Sequence, residues 1–214
     1  MSAADGTSLR LPSGLTIQNP FAKLLAFAKE EYATYDAVTT ELDSTITIHD
    51  ILLSVMMNSW LMAPRGRSVY RARERIGRGL AGIPPEASLL DDHDAIPWDG
   101  IHALFNEFET IKGAKLAVAT KILHRKRPKL IPIFDKVVLS YYEETHPDLR
   151  GLKMGPVAVR AMEVFRDDLL AVREGIGALA SDLAERGFSL TPVRVLEALL
   201  WIECRKAEPY YSGG

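Results

Sequence analysis

Residues 104–138, LFNEFETIKGAKLAVATKILHRKRPKLIPIFDKVV, decide how this chain is to be read. Phe108 and Ile111 lead to Gly113, and Leu116, Ala119, Ile122 and Leu123 then recur at the three- and four-residue spacing of a helical face. Glycine takes the positive φ values that other residues avoid, so beside a short polar break it ends one helix and lets the next begin at once. The pattern predicts helix, tight turn and helix over about 101–126, then a loop bracketed by prolines. Asp135 opens a further helix from Lys136, where an aspartate is among the best N-caps.

Working outward, the 214 residues allow one domain, or two small lobes, with a sizeable core. A hydrophobic fraction of 47% with 25% charge is that of a water-soluble fold, and no apolar run is long enough to span a bilayer. No secretory signal pattern opens the chain, and cytoplasmic placement with no membrane partner is expected. The lone Cys204 excludes an internal disulfide and a four-cysteine cluster. His49, His93, His102, His124 and His146 show no zinc spacing, so no metal and no cofactor is expected.

Residues 1–16 read as a disordered lead-in, 17–206 as a single helical domain, and 207–214 as a frayed tail. Pro20 to about Ala33 is a first helix. Thr47 and Asp50 have capping-box spacing before the apolar Ile48–Met57 segment, whose all-round hydrophobicity places it at the centre of the fold. In the helix that follows, Arg67, Arg71, Arg75 and Arg78 share one face, while Val69, Ala72, Ile76 and Leu80 turn inward. The acidic stretch 86–96 is a solvated connector. Residues 156–186 are helical with a break near Gly175–Gly177, and a last, buried helix begins at Thr191–Pro192. No alternating strand is evident, and the class is all-α.

Net charge is only −2, but its distribution is uneven. Residues 65–78 carry a net +5 and residues 112–136 a net +7, leaving −14 on the rest. Two basic blocks on an acidic chain can present a local cationic surface, the signature of a polyanion partner. The alternative for the arginine stripe is a solvated face paired with acids such as Glu74.

Phe108, Ile111, Gly113, Ala114, Ala119 and Ile122 resemble the hairpin motif of the helix–hairpin–helix DNA glycosylases, and Asp135 follows Gly113 by 22 residues, as that superfamily's catalytic aspartate follows its hairpin. Lys115 stands where the motif has a second glycine. KILHRKRPKLIPIFDKVV and LTPVRVLEALLWI resemble, more closely, an uncharacterised bacterial family related to that superfamily.

The resemblance implies a glycosylase-like helical fold binding double-stranded DNA. Hairpin amides, with Lys112, Gly113, Lys115, Lys121, Arg125, Lys126, Arg127 and Lys129, would meet phosphates beside Arg67, Arg71 and Arg75. It also implies Asp135 as the catalytic carboxylate of a monofunctional glycosylase; the lyase lysine position is Ala117, so a Schiff-base route is not expected. Wedge and pocket residues are not identifiable, with Trp60 and Tyr70 as candidates. A non-catalytic protein-interaction domain is the third reading.

Overall fold

The computed structural model describes residues 8–57 and 63–205. Strands β1 (Ser8–Arg10) and β2 (Thr16–Gln18) form a two-stranded antiparallel hairpin with Leu9 opposite Ile17. Residues 8–10 are thus paired with 16–18, where the sequence reads 1–16 as a disordered lead-in and shows no alternating strand. The cause is tertiary: Leu11 and Ile17 are buried in the core, and Ser13 at the turn donates from N and Oγ to the Asp168 carboxylate at 2.9 and 2.6 Å. Tyr142 donates to the same carboxylate at 3.0 Å.

Helix α1 (Pro20–Glu31) starts with proline in its first turn and passes into a 3-10 turn at Tyr32–Thr34. Helix α2 (Ile48–Met56) has the expected capping box, Thr47 and Asp50 each bonding the other's backbone N–H. The arginine-rich segment is two helices, α3 (Ala63–Arg71) and α4 (Arg73–Ala81), rather than one. The Tyr70 carbonyl, which an unbroken helix would give to residue 74, instead accepts from the Arg73 guanidinium at 3.0 Å. The break lets α3 pack on α2 while α4 lies along the next helix, α5 (Trp98–Glu109).

Helices α6 (Leu116–Lys126), α7 (Lys136–Thr145), α8 (Met154–Ala171), α9 (Arg173–Ala184) and α10 (Pro192–Arg205) complete the chain. The break in the long C-terminal segment falls at Val172, not at the glycines, because α8 packs on α5 whereas α9 packs on α10. Helix α10 gathers α1, α7 and α9 around its apolar residues. Phe134, Tyr142 and Phe165 meet edge-to-face between α7 and α8.

The central element is not α2. Leu52, Val55 and Met56 on α2 are exposed, and only Asp50, Ile51 and Ser54 of that helix are buried. The buried helix is α6, where every residue but Ala117 is enclosed, its cations included. Hydrophobicity alone therefore misplaced the core. Cations can be interior where carbonyls meet them, and apolar side chains can remain outside. No described helix is long and apolar enough to cross a membrane.

Candidate functional site

The turn between α5 and α6 is built as the sequence predicts. Thr110 caps α5, Ala114 N–H donates to Ile111 O at 3.0 Å, and Gly113 adopts φ +86°. Lys115 is the extended N-cap of α6 and makes no side-chain cap bond, while Val118 N–H turns back to Lys115 O at 2.9 Å. Lys112 and Lys115 are exposed.

What packs against Gly113 is the stem of Arg65. A Cβ built on the glycine would stand 2.7 Å from its Cγ and Cδ. The glycine thus serves both the positive φ and the seat of an arginine from the first basic block. Arg75 reaches the same turn from α4, its Nε lying 2.5 Å from Glu107 Oε2 and its Nη2 donating to Thr110 Oγ1 at 2.7 Å. Arg67, Arg71 and Arg78 are exposed on α3 and α4, and the Arg73 guanidinium stacks on the Tyr70 ring at 4.3 Å. The structure brings Arg75 of the stripe, with Arg65, against the hairpin turn. Lys129, though exposed, lies beyond the other end of α6, a helix of roughly 16 Å at 1.5 Å per residue.

Four further cations of the second block, Lys121, Arg125, Lys126 and Arg127, are not on a surface, which corrects the expectation that they flank the hairpin as phosphate ligands. Lys121 donates to Met57 O at 2.6 Å. Arg125 donates to Tyr35 O and Val38 O at 3.2 and 3.1 Å. Lys126 donates to Glu41 O and Asp43 Oδ1 and lies 3.3 Å from Asp50 Oδ2. Arg127, 1% exposed, directs its guanidinium at the carbonyls of Ile83, Leu42, Asp43, Lys126 and Leu80. These side chains strap loop 35–43 and the end of α4 onto α6. Burial opposes ionisation of Asp50, but bonds from Thr47 and the charge of Lys126 outweigh it and hold its pKa low. His124 is buried with Nδ1 donating to Ile131 O at 2.6 Å. Burial, with Arg194 nearby, pulls its pKa down to about 4.

Asp135 caps α7 through Oδ1, which accepts from Val138 N–H at 2.9 Å. The residue is half-buried, and Oδ2 has no hydrogen-bond partner among the described residues. Behind it lies an ionisable cluster that the sequence did not reveal. Arg194 on α10 pairs with both Asp36 oxygens at 2.8 and 3.0 Å and with Glu197 one turn on. Burial pushes the Glu197 carboxyl up to about 7 against the pull of Arg194, with the Asp135 charge adding to the rise. Burial lowers the pKa of Lys121, partly offset by Asp135 and Glu197. The only sequence signal was an Arg–Glu pair three apart inside the apolar run 193–202. Trp60 lies outside the described residues, as do 1–7 and the tail from 206. Among the described residues, no group of His, Cys, Asp and Glu has metal-binding geometry.

A model of the family of unknown function DUF6308 matches residues 17–204, and the chain belongs to that family. No curated protein and no solved structure matches it.

Proposed function

We propose that this member of DUF6308 has a helix–hairpin–helix glycosylase-like fold and binds duplex DNA through phosphates, using the α5–α6 turn and the exposed arginines of α3 and α4. The observation that carries this reading is the seating of Arg65 on Gly113, which sets the start of the first basic block against the turn that bears the exposed Lys112 and Lys115. The contacts assigned are Lys112, Lys115, Arg67 and Arg71, with Arg75 aligned by Glu107. Uncapped amides at the start of α6 add a partial positive charge beside these cations. Such contacts position without reading sequence.

Binding of a mixed-sequence duplex tests this. Affinity should fall steeply with salt, and Lys115→Ala or Arg71→Ala should each reduce the slope of log K against log salt by about 1. No binding at low salt, or slopes unchanged in both variants, overturns the assignment.

A second reading has its own observation: one Asp135 oxygen is left without a described partner beside buried Lys121 and Glu197. That carboxylate could stabilise positive charge on a deoxyribose or orient water in a monofunctional glycosylase. Duplexes carrying damaged bases, followed by alkaline cleavage of abasic sites, would report it. Asp135→Asn keeps an N-cap and should abolish activity; activity retained in that variant overturns the reading.

A further inference from the structure

Six of the eight large apolar side chains exposed among the described residues fall between Val38 and Met56. Singly scattered apolar residues need no explanation, but a contiguous set marks a contact surface. On α2, Ile48, Leu52, Val55 and Met56 stand at i, i+4, i+7 and i+8, which makes one outward stripe; Leu52 is 54% exposed and Met56 62%. Between this stripe and the loop leading into α2 lies a cavity of about 770 Å³, walled by Val38, Leu52, Leu53, Val55 and Met56. The volume accommodates several side chains of a ligand.

The charges around the cavity select what enters. Arg125 and Lys126 form part of its lining, but both are spent on the loop's own carbonyls and on Asp43 and Asp50. The charge left unpaired at the rim is acidic: Glu41 is exposed, and Asp43, though bridged to Lys126, keeps its side chain 50% exposed. A phosphate backbone or an anionic lipid surface would be repelled there. An apolar face carrying lysine or arginine at its edge would be attracted.

We propose that the groove between α2 and residues 38–47 receives an amphipathic helix of another protein, its apolar side on Leu52, Val55 and Met56 and its basic edge on Glu41 and Asp43. The recognition is that of a helix laid in a groove, with apolar anchors one and two turns apart. Helix α2 is nine residues, so two to three turns of the partner suffice to cover it. None of the cations assigned to DNA lines this groove, so the partner and a duplex bind at separate places.

The probe is a fluorescein-labelled 14-residue peptide with leucines on one helical face and lysines on the other, titrated with the full chain at physiological salt and read by anisotropy. A peptide of the same pattern with glutamate for lysine is the charge control. The leucine–lysine peptide should bind at least about tenfold more tightly than the leucine–glutamate one. Leu52→Asp and Met56→Asp should each weaken it about tenfold, and Glu41→Lys by several-fold, with the thermal midpoint of each variant held because these positions are exposed. The proposal is overturned if Leu52→Asp binds as well as the parent, or if the two peptides bind alike. It is equally overturned if the parent sediments as a dimer that Leu52→Asp disperses, since a second copy then covers the face.

Discussion

Replacing Arg127 separates a structural cation from a DNA-binding one. Its guanidinium has five N–H groups and five carbonyl partners. Three of these, Ile83 at 2.8 Å, Lys126 at 2.7 Å and Leu80 at 3.0 Å, are buried bonds. The Asp43 bond, at 3.5 Å, is at the limit of a real interaction and is discounted. In Arg127→Met the side chain still fills the space and Leu80 O keeps the Ile83 N–H at 3.0 Å, but the buried carbonyls of Ile83 and Lys126 are orphaned at about 1–3 kcal/mol each. Returning the charge to solvent recovers part of that cost, since a buried ion is expensive to desolvate. A net loss of about 3 kcal/mol results, against a total stability of roughly 5–15 kcal/mol. For a chain of this size the thermal midpoint should fall by roughly 10 °C. Circular dichroism melts measure this, and urea titration at fixed temperature checks it. Arg127→Lys, which keeps the charge but not the fork, should lose an intermediate amount. A midpoint within about 2 °C of the parent, coupled to weaker DNA binding, would refute the reasoning and return Arg127 to the surface.

Two further perturbations probe the turn and the interior. Gly113→Ala should cost about 1–2 kcal/mol for its positive φ, and more for the clash with the Arg65 stem; the second part should vanish in an Arg65→Ala background, read as a double-mutant cycle by denaturant titration. His124, whose folded pKa of about 4 lies below the unfolded value near 6.5, binds its proton only when the chain unfolds. Its contribution is therefore fully present above about pH 6.5 and is lost as pH falls towards 4. Glu197, raised to about 7, has the opposite sign and loses stability as pH rises from about 4.5 through 7. His124→Asn should accordingly lose less stability than the parent between pH 6.5 and 4.5, measured by urea unfolding at each pH; an unchanged slope would sink the assignment.

The local signals proved sufficient where they acted locally. Gly113 in a turn, Thr47 with Asp50 in a capping box, Asp135 as the cap of α7 and Pro20 and Pro192 at helix starts each needed only neighbours within a few residues. Val69, Ile76 and Leu80 face inward because helical period alone fixes which side they occupy. Gly113 beside the polar break likewise predicted where α5 ends and α6 begins.

What the chain alone could not determine was that α6 would bury its cations and α2 would expose its apolar side chains. LHRKR on α6 and LLSVMM on α2 have opposite polarity, and the fold reverses the usual assignment of each. The reason lies in the partners: Arg125, Lys126 and Arg127 are held largely by backbone carbonyls, groups that every residue possesses and that leave no mark in a sequence. Arg194 meets Asp36 across 158 positions, and Ser13 meets Asp168 across 155, through distances that no periodicity encodes. Sequence determined the helices and their ends; the tertiary structure decided which charges are surface and which are scaffold, because only packing specifies what each side chain finds opposite it.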